Sequence, residues 1–493
     1  MAQLEQLAGT AVAAKFFDSA IPESVQDFRD SVPLTTYEDY RSLLSERDPR
    51  LLPASRTYWT STTGAGGRLK LIPFTGKALS LVEDAVLAAF IIATTTAKGE
   101  VNISSEDRIL YSLAPKPYLS GFLAEGMKRR FNFNGIPSVE ESNTLPFEML
   151  LEVAFERALG NRVDVLVALS SVLVRMGDKF SDKTGDTPFS KVINPRNARK
   201  LLKAYLSSKR DQRPILPKDL WPVKGIVAWG ADTSLYSAKI RDYWGRDPIE
   251  LFASTECGVL AMQSWTHKGL TFLPYGVFLE FIPETESIRL SQDPSYVPNT
   301  ILLDQLEVGQ RYELVITSFH GMPFLRYRLG HFVRVLSLGD PAAGIVLPQI
   351  LDVGRSDSII DIGGFTRLDE HTITSAIISS GIPIHDWVVV KDSNGGSAYL
   401  HFYLELKNEL PVNEICQRLD HTLQDADPGY RDLHKMLGME PLKITIVTCG
   451  TFERFRSRKN DRSSSAIDRE RFVKINPSAE ALGWLREVTS NNQ

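Results

Sequence analysis

Gly225-Ile226-Val227-Ala228-Trp229 is a short run of apolar and β-branched residues that predicts a buried strand. Residues 234–244 then have helical spacing, and Ile249-Glu250-Leu251-Phe252-Ala253 predicts a second strand. The same order occurs earlier, with a predicted strand at 163–169 and a helix at 170–180. Because strands that alternate with helices build α/β sheets, the sequence predicts an α/β fold. Such sheets bind their ligands beyond the carboxyl ends of the strands.

Two polar loops follow the predicted strands at those carboxyl ends. They are Gly230-Ala231-Asp232 and Ser254-Thr255-Glu256-Cys257-Gly258. Glu256 offers a carboxylate oxygen, which is the kind of ligand that Mg²⁺ prefers. The alternative is a structural role, in which Glu256 caps or pairs at the end of a strand. Both loops are therefore candidate parts of one ligand site.

A third candidate segment, residues 58–75, is rich in hydroxyl groups and glycine. It contains Thr60-Ser61-Thr62-Thr63-Gly64, two further glycines, and the cations Arg68 and Lys70. Glycine lets backbone N–H groups turn toward an anion, hydroxyls add donors, and a cation neutralises phosphate charge. The composition suits a phosphate-binding loop. A flexible surface loop has the same composition, and the spacing of the common nucleotide-binding loop is missing.

The bulk composition is that of an ordinary globular protein with more than one domain. The chain has 493 residues, 43% of them hydrophobic and 24% charged, with a net charge of -4. Without a basic excess, nucleic acid and anionic membranes are not expected as partners. Three separated cysteines without C-x-x-C spacing indicate neither a disulfide framework nor a zinc cluster, so a reducing cytoplasm is expected. The apolar residues 85–96 are too few to cross a bilayer and predict a buried helix.

A second domain is predicted after the turn Gly354-Arg355-Ser356-Asp357. The segments beyond it predict a helix at 369–379 and strands at 387–391, 398–406 and 442–447. This mixture is typical of a small α+β domain. The expected division is a large domain of residues 1–353 and a small domain of residues 354–493.

Several motifs occur in a fixed order along the chain. The first set is the loop at 58–75, Phe252-Ala253-Ser254-Thr255-Glu256, Arg326-Tyr327-Arg328-Leu329-Gly330-His331 and Gly354-Arg355-Ser356-Asp357. The second set is Val32-Pro33-Leu34-Thr35-Thr36-Tyr37-Glu38-Asp39 and residues 318–328 and 363–368. The first set resembles the acyl-adenylate-forming ligases. The second is most similar to the branch that holds phenylacetate-CoA ligases and the acyl-acid amido synthetases of the auxin-conjugating family.

The resemblance implies a large adenylate-forming domain, a small mobile carboxy-terminal domain and a two-step ligase reaction. A carboxylic acid attacks the α-phosphorus of ATP to give an acyl-AMP, and a thiol or an amine then takes the acyl group. ATP and Mg²⁺ are the implied cofactors, and CoA is added for a thiol acceptor. The residues implied to bind the phosphates are Thr60, Ser61, Thr62, Thr63, Gly64 and Lys70.

The resemblance assigns further roles residue by residue. It implies that Thr255 and Glu256 meet the α-phosphate and the metal, with Glu256 as the Mg²⁺ ligand. It places Gly230, Ala231 and Asp232 against the adenine, and it makes Arg355 and Asp357 the hinge of the small domain. A lysine near the carboxyl terminus reaches the leaving pyrophosphate. Lys474 is the candidate, with Lys459 and Arg469 as rivals.

Two residues depart from the pattern of the family. His331 stands where the family has an aspartate that accepts hydrogen bonds from both ribose hydroxyls. A neutral imidazole offers one acceptor, so that contact is weakened, nucleotide use has changed, or adenylation has been lost. Ser61 stands where relatives usually have glycine, which restricts the backbone without removing a donor.

The acceptor and the chemical class stay open at the level of sequence. CoA needs a basic surface for its 3′-phosphate, and Lys128-Arg129-Arg130 is the most suggestive cluster. An amine acceptor needs no such surface. A different class is acyl transfer through Cys257, and a third is a ligand-binding homologue without catalysis.

Overall fold

The computed structural model describes most of the chain. The described residues are 1–17, 21–48, 50–53, 57–63, 69–111, 115–145, 147–181, 195–230, 233–293, 295–355, 359–362, 366–394, 397–431, 441–454, 473–477 and 479–490. By the contacts among these residues, the chain forms two compact units. The first comprises 1–62, 69–329 and 333–352, and the second comprises 353–493 together with 330–332 and Thr63.

The first unit holds most of the helices. They are α1 (Ala2–Leu7), α2 (Ala11–Phe16), α3 (Val25–Ser31), α4 (Tyr37–Ser45), α5 (Gly76–Thr94), α6 (Leu119–Phe131), α7 (Val139–Thr144), α8 (Phe147–Leu159), α9 (Ser170–Ser181), α10 (Pro195–Arg210), α11 (Pro217–Leu220), α12 (Thr233–Trp244) and α13 (Glu284–Gln292).

The strands that begin in this unit follow the same order. They are β1 (Thr57–Thr63), β2 (Leu69–Thr75), β3 (Arg108–Tyr111), β4 (Asn134–Ile136), β5 (Val165–Leu169), β6 (Gly225–Trp229), β7 (Ile249–Ser254), β8 (Gly258–Gln263), β9 (Leu270–Phe272), β10 (Val277–Pro283), β11 (Arg311–Ser318), β12 (Tyr327–Ser337) and β13 (Gln349–Arg355).

An 11-stranded mixed sheet organises these elements in the order β10-β11-β12-β13-β9-β8-β7-β6-β5-β3-β4. Strands β4, β3, β5, β6 and β7 run parallel, with Ala228 of β6 opposite both Ala168 and Glu250. The direction reverses from β7 to β8, and the pairs β8–β9, β9–β13 and β10–β11 are antiparallel. The parallel strands therefore bring the ends of β5, β6 and β7 to one edge, as their alternation with helices predicts.

Apolar side chains on the sheet and its helices form the core of the unit. On one side of the parallel strands, Trp221 and Trp244 stack with ring centroids 6.1 Å apart. The predicted buried helix at 85–96 lies mostly within α5, whose Thr75 N-cap accepts a 3.2 Å hydrogen bond from the Ala78 amide. Among the described residues, no helix is both long enough and apolar enough to cross a membrane.

Residues 58–75, predicted as a loop, are mostly strand. β1 and β2 pair as a two-stranded sheet, so Thr60 and Ser61 belong to a strand. The reason is visible in the sequence around the glycines, because the flanking residues Tyr58, Trp59, Leu71 and Ile72 are aromatic or apolar and suit a half-buried strand. Gly64, also predicted to bind phosphate, lies outside the described residues.

The second unit is an α+β assembly. Its elements are β14 (Ile359–Ile362), β15 (Thr366–Asp369), α14 (Glu370–Ser379), β16 (Ile384–Asn394), β17 (Ser397–Leu406), α15 (Val412–Ala426), β18 (Leu442–Val447) and α16 (Ala479–Ser490). β16 pairs antiparallel with β17, and β17 pairs parallel with β18. Buried Phe402 and Leu419 belong to its principal core.

The α/β class predicted from the alternating strands and helices is confirmed. The division at residue 353 and the mobility of the small domain stay predictions. In the predicted hinge, Ser356, Asp357 and the side chain of Arg355 lie outside what the structure describes.

Candidate active site

Three parallel strands end in polar residues at one edge of the sheet. At the end of β6, Gly230 has a φ of 129°, a backbone conformation that favours glycine. Its carbonyl accepts a 2.8 Å hydrogen bond from the Thr233 hydroxyl, and Ser170 donates to the Trp229 carbonyl at 3.1 Å. Ala231 and Asp232, predicted to lie against adenine, are outside the described residues.

A tight turn after β7 places Glu256. The Cys257 amide donates to the Ser254 carbonyl at 3.2 Å, and the Glu256 amide donates to the Ser254 hydroxyl at 3.3 Å. The Ser254 hydroxyl in turn donates to Oε2 of Glu256. Gly258 closes the turn with a φ of 75°, and a Cβ there would lie 2.3 Å from Cγ2 of Val82. The turn therefore requires glycine and holds the carboxylate in one orientation.

Two distant segments meet the same carboxylate. Nζ of Lys70 on β2 lies 3.7 Å from Oε1 of Glu256. The hydroxyl of Tyr327 on β12 donates to that oxygen at 3.3 Å. Strand β2, the turn after β7 and the start of β12 thus converge on Glu256, which is itself buried. Thr255, the predicted partner of Glu256 at the α-phosphate, is partly exposed beside it.

The side chain of Tyr37 lies beside Lys70 and Leu71. The side chain of Asp39 accepts a 2.7 Å hydrogen bond from the Thr36 amide, which fixes the start of α4 at Tyr37. The Tyr37 hydroxyl accepts a 2.8 Å hydrogen bond from the Leu71 amide, and Nζ of Lys70 lies 4.9 Å from the centre of the Tyr37 ring. Burial raises the pKa of Tyr37 above its ordinary value. A neutral aromatic ring therefore orients the Lys70 ammonium.

The hydroxyl residues of β1 differ in whether their side-chain hydroxyl is available to donate to a phosphate. Thr60 is fully buried and donates its hydroxyl hydrogen to the Ile72 carbonyl at 2.9 Å. This hydrogen bond links β1 to β2. The Ser61 amide donates to the Pro117 carbonyl at 2.9 Å, while its buried hydroxyl has no hydrogen-bond partner in the described part of the chain. The side chains of Thr62 and Thr63 are outside that part. Ser61 is therefore a better candidate donor to a phosphate than Thr60.

The arginines flanking Tyr327 support the fold. Arg326 is buried, and its Nε and Nη2 donate to the two oxygens of buried Glu280 at 3.1 and 3.0 Å. Nη1 of Arg326 donates to the Val32 carbonyl at 2.7 Å, and Nε of Arg29 lies 3.3 Å from Glu280. Arg328 makes a two-bonded pair with Glu313 at 2.9 and 2.8 Å. Both arginines therefore hold Tyr327 in position.

Sequence reasoning gave no role to Tyr37 or to Tyr327. A signal for the network was present in β10, where Phe278-Leu279-Glu280-Phe281-Ile282 puts one carboxylate into an apolar strand. Such a buried acid needs a cation. The pattern says that a partner exists but does not say that the partner is Arg326.

His331 and Lys474 are the remaining candidates. His331 is partly buried in β12, four residues after Tyr327, and follows Gly330, which has a φ of 72°. Lys474 lies in the second unit, where its Nζ is 3.9 Å from Oδ1 of Asp386 and 4.9 Å from the centre of the Trp387 ring. Lys459 and Arg469 are outside the described residues.

The basic cluster Lys128-Arg129-Arg130 is neutralised by carboxylates. Arg130 lies 2.8 Å from Oε2 of buried Glu83, and Arg129 lies 3.4 Å from its Oε1. Lys128 pairs with Glu140. The cluster is therefore a set of ion pairs, which leaves little net positive charge for the 3′-phosphate of CoA.

Cys257 is poorly suited to act as a nucleophile. Its side chain is partly buried and packs against the core of the first unit. Burial raises the pKa of the Cys257 thiol well above its ordinary value, and the adjacent Glu256 carboxylate adds to the rise. Because the thiolate is the reactive form, a raised pKa disfavours Cys257 as a nucleophile.

The residues around Glu256 fit a Mg²⁺ ion that is also bound by substrate phosphates and water. Among the described residues, no group of three His, Cys, Asp or Glu side chains could hold a metal ion by itself. Mg²⁺ is usually bound by one or two carboxylates together with substrate phosphates and water. A carboxylate has about four lone-pair positions, so Glu256 can accept from Ser254 and Tyr327 and still contribute an oxygen to a metal.

Two segments of the chain match models of known protein domains. Residues 270–343 match the model of the GH3 family central domain, and residues 369–468 match that of the GH3 family C-terminal domain. Indole-3-acetic acid-amido synthetase GH3.15 of Arabidopsis thaliana is 22% identical over 89% of this chain and 83% of its own length. A GH3 domain-containing protein of Homo sapiens is 27% identical over 40% of this chain and 37% of its own length.

Solved structures extend the comparison to the fold. The AtGH3.15 acyl acid amido synthetase in complex with 2,4-DB has a TM-score of 0.70 at 19% identity, covering 99% of this chain and 92% of that one. A 2-hydroxyisobutyryl-CoA ligase in the post-adenylation state with R3-HIB-AMP has a TM-score of 0.63 at 12% identity, covering 99% and 91%. Two segments of the chain thus match GH3 domain models, and the fold of the chain is similar to that of an acyl acid amido synthetase and of an acyl-CoA ligase.

Proposed function

We propose that this protein activates a carboxylic acid with ATP and joins the acyl group to an amine. The observation that carries the proposal is the convergence of Lys70, Tyr327 and Ser254 on the Glu256 carboxylate. These residues come from motifs far apart in the chain, and a purely structural carboxylate has no need of a partly exposed lysine beside it. The name of the Arabidopsis thaliana relative, an indole-3-acetic acid-amido synthetase, supports the same reaction.

In the first step, a carboxylate oxygen of the acid bonds to the α-phosphorus of ATP. The bond from that phosphorus to the bridging oxygen breaks, and pyrophosphate leaves. Lys70 would neutralise phosphate charge, the Ser61 hydroxyl would donate to a phosphate oxygen, and Thr255 would meet the α-phosphate. Glu256 would hold Mg²⁺, which would supply positive charge to the phosphates. Gly230 and His331 would contact the adenosine, with Ala231 and Asp232 beside Gly230.

In the second step, the amine nitrogen bonds to the acyl carbon, AMP leaves with the bonding electrons, and the nitrogen loses a proton. An amine is favoured over CoA because the Arabidopsis thaliana relative is named an amido synthetase and because Lys128-Arg129-Arg130 is already paired with carboxylates. In this proposal the second unit turns about Arg355 and Asp357 between the steps. Lys474 would serve the first step, in which pyrophosphate leaves, before that turn.

The proposal is tested by pyrophosphate release from ATP and Mg²⁺ with a panel of carboxylic acids, aromatic acids included. Mass spectrometry then identifies the product formed when amino acids or CoA are added. Release with at least one acid and an amide product are expected. Release with a thioester product would replace the amine by CoA. No release with any acid, together with no binding of ATP by calorimetry, would refute ligase activity.

We expect His331→Asp to tighten ATP binding. An aspartate offers two oxygens to the ribose hydroxyls where a neutral imidazole offers one acceptor, and a hydrogen bond to a charged group contributes enough for a change of about tenfold in Kd. Titration calorimetry measures the Kd for ATP. The matched control is His421→Asp, at an exposed histidine of α15, which should leave the Kd unchanged. Unchanged or weaker binding for His331→Asp would show that His331 has another role.

We expect Cys257→Ala to keep both pyrophosphate release and amide formation within about threefold of the original chain. The thiol is protonated and packed, so its removal takes away volume rather than a reactive group. Steady-state rates measure this, and intact-protein mass spectrometry detects any acyl adduct. An adduct on the original chain that disappears with Cys257→Ala would favour acyl transfer through the cysteine instead.

A further inference from the structure

Helix α10 exposes a stripe of apolar side chains to solvent. Leu202, Tyr205 and Leu206 are 58%, 50% and 59% exposed, and they recur at the spacing of one helix face. The opposite face is anchored in the first unit, since Ala204 is buried and Leu201 packs against the core around Trp221 and Trp244. The stripe is therefore a surface of a firmly seated helix.

The same helix concentrates positive charge. Its 16 residues, PRNARKLLKAYLSSKR, contain six lysines and arginines and no carboxylate. Arg199, Lys203 and Lys209 are exposed, and within the described ranges none of the three pairs with an acidic side chain. Nζ of Lys209 lies 5.6 Å from the centre of the Tyr205 ring. The whole chain has a net charge of -4, so α10 is a local exception to an acidic molecule.

We propose that the exposed face of α10 docks on an anionic lipid surface. Apolar residues bordered by lysine and arginine are the pattern of helices that lie in the plane of a membrane interface. Leucine side chains enter the acyl boundary, tyrosine places its ring and hydroxyl at the level of the headgroups, and the long cationic side chains reach the anionic groups. The small net charge of the whole chain does not oppose this, because an exposed charge acts over about 8 Å at physiological salt.

A second copy of the chain fits this face poorly. Two copies of α10 packed against each other about a twofold axis would bring Arg199, Lys203 and Lys209 of one copy close to the same residues of the other. No carboxylate on either helix would offset that repulsion. The charge of α10 therefore favours an anionic surface over self-association.

The test is sedimentation of the full chain with vesicles of phosphatidylcholine alone or mixed with phosphatidylserine. Binding is expected only to the mixed vesicles, with a loss at high salt. Leu202→Ser with Leu206→Ser, and separately Lys203→Glu with Lys209→Glu, should each weaken binding by about tenfold or more. Val101→Ser with Val346→Ser, and Lys98→Glu with Lys407→Glu, are matched controls at exposed positions and should bind as the original chain does.

Pyrophosphate release by each variant, expected to be unchanged, shows that the fold and the site are intact. Equal binding to both kinds of vesicle, no binding to either, or equal losses in variants and controls would overturn the proposal. A dimer in light scattering that the Leu202 and Leu206 changes abolish would assign this face to a second copy and overturn it as well. Binding to an acidic protein without binding to vesicles would do the same.

Discussion

Replacing Glu256 with glutamine is expected to lower the rate of pyrophosphate release by about a hundredfold to a thousandfold, the loss typical of one transition-state contact to developing charge. Glutamine has nearly the same shape, and its one carbonyl oxygen can accept from one of the Ser254 and Tyr327 hydroxyls while its NH2 group donates to the other, so the turn after β7 should persist. It lacks the negative charge that would bind Mg²⁺ and pair with Lys70. Steady-state pyrophosphate release at saturating ATP and Mg²⁺ measures the effect.

The matched control is Glu284→Gln, at a partly exposed carboxylate on α13 that pairs with Arg311. Its rate should stay within about twofold of the original, because Glu284 pairs with Arg311 and is not one of the residues that meet at Glu256. Tyr327→Phe removes only the hydroxyl that meets Oε1 of Glu256 and should produce an intermediate loss. A Glu256→Gln rate close to that of Glu284→Gln would remove Glu256 from the proposed reaction.

Replacing Glu280 with glutamine is expected to lower the free energy of unfolding of the first unit by about 3–5 kcal/mol, the cost of breaking a buried ion pair from one side. Arg326 is 8% exposed and Arg29 is 17% exposed, so one buried and one partly buried cation would remain without their carboxylate. The Thr300 hydroxyl, which donates to Glu280 at 2.7 Å, would lose its charged acceptor too. Urea denaturation followed by circular dichroism measures the change.

Glu38→Gln is the comparison for this second change. Glu38 pairs with Arg41 on the exposed surface of α4, with 66% of its side chain accessible. Glu38→Gln should lower the free energy of unfolding by no more than about 1 kcal/mol, because water screens such an ion pair. If Glu280→Gln were as mild as Glu38→Gln, the buried network would have to be less important for stability than its geometry indicates.

The sheet and one part of the site could be predicted because they depend on local patterns. The alternation of strands and helices from Gly225 to Ala253 is enough to place Gly230 and Ser254–Glu256 at carboxyl ends of parallel strands. The start of α4 could be predicted for the same reason, since Thr36 and Asp39 cap it within one turn. In each case, the residues that interact are neighbours in the chain or follow one period.

The rest of the site depends on pairings that no local pattern specifies. Thr60 looks like a phosphate ligand until its hydroxyl is seen to donate to Ile72 across the hairpin. Arg326 looks like part of a nucleotide motif until Glu280 is found beside it. Likewise, the charge of Arg130 is visible in the sequence, but its neutralisation by Glu83 requires α5 and α6 to be packed together. The periodicity of apolar residues indicates which face of a helix or strand is buried, but it does not indicate which residues that face contacts.

The pairing of Thr35 with Tyr327 links the site to the order in which the chain is made. Thr35 forms a parallel bridge to Tyr327, and its hydroxyl donates to the Leu325 carbonyl across a separation of 290 residues. A ribosome that adds roughly 5–20 residues per second needs on the order of 15–60 seconds to make that intervening length. The segment that carries Thr35 and Tyr37 therefore cannot contact β12 until that interval has passed. Completion of the Glu256 site is a late event in the synthesis of this protein.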